Sequence, residues 1–93
     1  TMKNQCQLVL NHLIGHGYIT DLVARNYGVR RLASRIHDLK TIGGVGVQVQ
    51  TRRDDQGNRY AYYFLSEDAR AVEREIRDEG GTWNGRPAMK AAA

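Results

Sequence analysis

Ninety-three residues suffice for one small domain, which excludes a two-domain enzyme built around a deep interdomain cleft. Hydrophobic residues at 41% and charged residues at 26% are ordinary for a globular chain, and no apolar run is long enough to span a bilayer. The single cysteine, Cys6, excludes an internal disulfide, and no basic-then-apolar leader opens the chain, so the expected compartment is a reducing cytoplasm. The net charge of +4 is unevenly spread. Residues 1–65 hold nine Lys+Arg against four Asp+Glu, whereas residues 66–93 hold five against six.

Thr1 ahead of Met2 reads as a residue left by an expression tag. From about Lys3 to His16, Cys6, Val9, Leu10, Leu13 and Ile14 recur at helical spacing, and Gly15 and Gly17 stop the helix. Tyr18 and Ile19 suit a short extended piece. Thr20 is a capping residue with Asp21 in the first turn of a second helix, which carries Leu22, Val23, Ala24 and Tyr27 and ends at Gly28. A third helix is expected over about 30–41, with Leu32, Ile36 and Leu39 inward, Ala33 beside them, and Gly43-Gly44 at its end.

Val45, Val47 and Val49 alternate with polar residues or glycine, as in a strand, and Tyr60, Tyr62 and Phe64 alternate on a returning strand. Between them, Asp54-Asp55-Gln56-Gly57-Asn58 is a turn sequence. Ser66 caps a last helix, 66–79, with Ala69, Val72 and Ile76 as its apolar stripe, and residues 82–93 read as a disordered tail. The expectation is an α+β fold: a three-helix core plus a β-hairpin wing over 45–65, the layout of a winged helix-turn-helix, with an extra C-terminal helix inside one domain of residues 1–81. Ala24 and Gly28 occupy the small-residue and turn positions of a helix-turn-helix. The next apolar residues, Ile36 and Leu39, come two places late for the tight form, so the turn is expected to be about two residues longer.

At roughly 100° per residue the third helix would point Arg30, Ser34, Asp38 and Thr41 outward, with Arg31, Arg35 and His37 on its flanks. Four cations against one anion over residues 30–40 is lopsided for a merely solvated face. Guanidinium, hydroxyl and imidazole groups can read base edges or grip phosphates in a major groove. The expected DNA-binding residues are Arg30, Arg31, Ser34, Arg35, His37 and Lys40 on the helix, with Arg52, Arg53 and Arg59 of the wing on the backbone. Double-stranded DNA is the expected partner, with self-association open between a homodimer and a cooperative array. A protein-interaction module using the same fold, with the acidic last helix or Leu8 as its contact, is the rival reading, and RNA binding a weaker third.

The stretch Ile19-Thr20-Asp21-Leu22-Val23-Ala24, then Tyr27-Gly28-Val29, then Arg31-Leu32-Ala33-Ser34-Arg35-Ile36-His37-Asp38-Leu39-Lys40 resembles small winged helix-turn-helix proteins of bacteriophages and prophages. The resemblance spans about residues 3–65. It implies DNA binding in a bacterial host, by a transcriptional regulator or a recombination directionality factor, and carries the contact role onto Arg31 and Arg35. Lys40 stands where Arg is usual, and the helix after Ser66 lies outside the pattern.

No catalytic set, metal site or cofactor is expected. His12 and His16 share a helix face, but Cys6 lies on the apolar side and no carboxylate completes a ligand set. Burial would quench the thiol as a nucleophile, and Gly43-Gly44-Val45-Gly46 lacks the Lys and following helix of a phosphate loop. Tyr60, Tyr62 and Tyr63 have the rings to stack on single-stranded bases. Because a domain this size has few other aromatics to fill its core, Tyr60, Tyr62 and Phe64 are instead expected to pack inward.

Overall fold

The structure, a computed structural model, describes residues 2–85, with side chains from residue 5 onward. Thr1 and residues 86–93 lie outside the described residues. The elements run α1 (Met2–His16), β1 (Tyr18–Thr20), α2 (Asp21–Asn26), α3 (Leu32–Thr41), β2 (Gln48–Arg53), β3 (Arg59–Phe64) and α4 (Glu67–Asp78). This is the expected α+β architecture. The three strands form one antiparallel sheet in the order β1-β3-β2, so the hairpin that makes the wing also clamps β1.

Helix α1 buries the face its spacing foretold: Val9, Leu10, Leu13 and Ile14 are in the core with Cys6. Burial pushes the Cys6 thiol above its ordinary pKa, Arg35 pulls against that rise, and Asp38 adds to it. Helix α2 starts where Thr20 Oγ1 accepts from the Val23 N–H and ends on a left-handed Gly28 at φ +73°. The Gly28 and Val29 amides fold back onto the Arg25 and Ala24 carbonyls, and Val29 packs in the core with Ala24. That closure needs a glycine, because a Cβ at positive φ crowds the following carbonyl. Residues 27–31 then lead into α3, the longer turn that the late apolar positions implied.

Three sequence expectations are corrected here. Val45 and Val47, expected within a strand, are buried but precede β2, and Val49 within the strand is exposed. The last helix caps on Ser66 Oγ, yet Val72 of its supposed apolar stripe is 42% exposed. Contact with the body comes from Ile76, half-buried Ala69, buried Glu73 and two arginines. Arg70 donates to the Ile14 carbonyl at 3.0 and 3.1 Å and to the Gly15 carbonyl at 3.2 Å, and Arg74 reaches the Ile14 carbonyl at 3.4 Å. These cations meet the carbonyls left over at the C-terminus of α1, where the helix dipole favours positive charge.

The start of the segment expected to be a disordered tail is ordered. Residues 82–85 form a turn, closed by the Thr82 N–H on the Gly85 carbonyl. Trp83 is 7% exposed within the main core cluster, and its backbone N–H donates to Gln7 Oε1 at 2.8 Å. Gly43 is what admits it, since a Cβ there would fall on the Trp83 carbonyl oxygen. A small three-helix core gains a large aromatic this way, and indole burial outweighs the ordering of a few residues.

Candidate nucleic-acid interface

Helix α3 contacts α1 and buries Leu32, Arg35, Ile36 and Leu39. Arg35 is thereby removed from the flank of the helix, where its sequence position suggested it would lie, and from the expected set of DNA contacts. Its side chain is 6% exposed, and Nη2 lies 3.5 Å from the Asp38 carboxylate one turn on. At roughly 100° per residue, position 35 lies about 60° from Leu32 and inside the apolar arc. The guanidinium therefore follows its stem inward. Asp38, expected outward, is drawn back with it and is half-buried.

The other expected residues of this region are exposed: Arg30, Arg31, Ser34, His37 and Lys40. Asp38 is the sole carboxylate in residues 30–41, and it is spent on Arg35. The accessible face therefore presents three permanent cations, a hydroxyl and an imidazole. Arg31 takes the N-cap position in the left-handed region, φ 54° and ψ 57°, and makes no side-chain capping bond, since a guanidinium has no acceptor for the free amides. It is the one non-glycine residue with positive φ among the described residues. Such a conformation costs on the order of 1 kcal/mol and persists where the surroundings fix it. It sets Arg30 and Arg31 at the N-terminus of α3, the helix end whose amides favour anions.

On the wing, Arg52, Arg53 and Arg59 are exposed, as are all residues from 48 to 60. Arg53 pairs directly across the ladder with Arg59. Like charges opposite each other on a sheet are destabilising unless solvent or an anion screens them. Arg53 Nη1 also donates to the Gly57 carbonyl at 3.0 Å, which stiffens the tip. Asp54 is occupied there, its Oδ1 accepting from the Gln56 and Asn58 amides at 2.9 Å each.

A family model described as a winged helix-turn-helix domain matches residues 4–68. The chain belongs to that family. Winged helix-turn-helix domains are DNA-binding modules, and here the match covers α1 through the wing and stops at the start of α4. No curated protein and no solved structure matches the chain. Within the winged helix-turn-helix, Arg53 and Arg59 lie on the sheet face that carries Ile19 and Tyr63, both of which pack on the core, so these two arginines project from the helix side.

Arg52 does not join them. Alternation carries it to the opposite face, where its guanidinium lies 3.7 Å from the centre of the Tyr62 ring and Nε donates to Gln50 Oε1 at 3.1 Å. The aromatic residues of β3 are inverted relative to expectation. Tyr63 packs on the core, its hydroxyl pKa raised by burial and by Asp21, whereas Tyr62 and Phe64 lie half-buried and Tyr60 exposed on the outer face. That aromatic face is what sequence reasoning missed. Its only signal was the run Tyr62-Tyr63-Phe64, which puts aromatics on both faces whatever the register.

No group of three or more His, Cys, Asp or Glu side chains positioned for a metal occurs among the described residues. No described helix is long and apolar enough to cross a membrane.

Proposed function

We propose that the protein binds double-stranded DNA sequence-specifically, with α3 in the major groove and the wing on the phosphate backbone. The observation that carries this reading is the charge arrangement of α3. Arg30, Arg31, Ser34, His37 and Lys40 are exposed, while Asp38, which would repel phosphate, is folded back onto Arg35. Arg30 and Arg31 take the phosphate and guanine contacts near the helix N-terminus, Ser34 and His37 face base edges, and Lys40 grips the backbone. Arg53 and Arg59 hold the adjoining phosphates.

The resemblance of residues 19–40 to phage and prophage proteins supports a role as a transcriptional regulator or recombination directionality factor in the cytoplasm of a bacterial cell. Selection of bound sequences from a random duplex pool tests the reading. Enrichment of a motif supports it, and footprints at regularly spaced copies of that motif mark the cooperative, recombination-type mode. Recovery of an unenriched pool, with no duplex shifted at low salt, overturns it.

A further inference from the structure

We propose that the outer face of the sheet is a stacking platform for single-stranded nucleic acid, distinct from α3. The register builds this face in rows. Tyr18, Phe64 and Gln48 lie side by side across the three strands, Thr20, Tyr62 and Gln50 form the next row, and Tyr60 with Arg52 the last. Tyr18 and Tyr62 stack with planes 8° apart and centroids 5.2 Å apart, and Phe64 sits 5.9 Å from Tyr62. Arg52 covers the Tyr62 ring, its guanidinium carbon 3.7 Å from the ring centre. Two clefts adjoin along the Arg52–Tyr62 pair, of about 640 Å³ and about 250 Å³. The smaller one combines His16, Arg52, Gln50, Tyr62 and Phe64 and includes no carboxylate.

Tyr60 is exposed and Tyr18, Tyr62 and Phe64 are half-buried, so aromatic surface on the solvent side of the sheet is open to contact. Flat rings, a stacked arginine and neighbouring amides match what a splayed strand requires: faces for its bases, donors for its phosphates, and hydrogen-bonding groups for its base edges. Duplex DNA offers no exposed base faces and does not fit. The carboxylates at the margin, Asp21 and Asp54, are engaged by Arg25 at 3.8 Å and by the wing-tip amides. A guanidinium has five N–H donors, and Gln50 takes one from Arg52, which leaves donors for a phosphate. Arg53 and Arg59 lie on the opposite face of the same hairpin, so one chain could hold a duplex on one side of the wing and an unpaired strand on the other.

The test is a fluorescence-anisotropy titration of the full chain with a labelled oligothymidine of about 12 nucleotides, beside a hairpin duplex. Tyr60→Ser, at an exposed position, and Phe64→Leu are each expected to weaken oligothymidine binding about tenfold. Both should leave duplex affinity unchanged; Tyr60→Ser should leave the melting curve in place, and half-buried Phe64→Leu should lower it only slightly. Arg30→Ala/Arg31→Ala should do the reverse, losing duplex and keeping the single strand, so failure of the α3 reading and failure of this one are separable. Absence of oligothymidine binding by the folded protein overturns the proposal. So does binding that survives Tyr60→Ser and Phe64→Leu, or that disappears with Arg30→Ala/Arg31→Ala.

Discussion

Replacing Arg35 by alanine separates a structural arginine from a DNA-reading one. In the structure the side chain is 6% exposed, close enough to Cys6 of α1 to act on its thiol, with Asp38 at 3.5 Å. Truncation removes a buried guanidinium stem and leaves Asp38 without its cation. Breaking a fully buried pair costs about 3–5 kcal/mol, because the remaining charge is stranded. Asp38 is 30% exposed and water can reach it, so a loss of about 2–3 kcal/mol is the better figure. Against the 5–15 kcal/mol of a typical domain that is a large fraction, and at about 4–8 °C per kcal/mol it lowers the melting midpoint by roughly 10–20 °C. Circular-dichroism melts give the midpoint, and duplex titration well below it gives the affinity of the folded variant. The expected outcome is a strongly lowered midpoint with affinity kept within a few-fold, while Arg31→Ala shows the opposite. An unchanged midpoint with lost binding would refute the assignment and return Arg35 to the interface.

Gly43→Ala should displace the Trp83 segment and cost about 1–3 kcal/mol. Trp83 is the only tryptophan in the chain, so a red-shifted emission reports the displacement directly, and an unshifted spectrum contradicts the close approach. Arg31→Gly should relieve the left-handed backbone and stabilise the fold by about 0.5–1 kcal/mol while weakening duplex binding; a lowered melting midpoint would count against the strain. His12 makes stability pH-dependent. Its pKa is lowered, first by burial and then by His16; Nδ1 lies 2.6 Å from the Tyr27 hydroxyl, and Nε2 is buried with no partner. The unfolded chain therefore binds the proton first, so stability should fall as pH drops from the ordinary value near 6.5 toward the lower folded value. Urea midpoints across that window should decline for the parent and flatten for His12→Gln; parallel curves would contradict the assignment.

The order of elements was legible because each boundary carries a local reason: glycines after α1, Thr20 ahead of α2, Gly28 at the turn, Ser66 ahead of α4. The long turn was legible too, since Ile36 and Leu39 came late. What escaped was decided by tertiary context. Arg35 falls within the helix's apolar arc, but a charged residue there reads as a flank until α1 is packed against it. Alternation along β3 gave two faces without saying which was inner, and the pairing of Ile19 with Tyr63 settles that. Trp83 sat in a Gly- and Ala-rich stretch whose composition outvoted the one residue able to anchor it, and only its cleft against Gly43 shows why it folds back.

If the exposed cations on α3 and the wing neutralise duplex phosphates, the salt dependence of binding reports it most directly. The logarithm of affinity should fall linearly with the logarithm of salt concentration, by about 0.9 for each phosphate neutralised. Lys40→Ala, Arg53→Ala and Arg59→Ala should each reduce the slope by about one and weaken all duplexes alike, while Arg35→Ala leaves the slope intact. A slope near zero, or one unmoved by those three substitutions, would contradict the account.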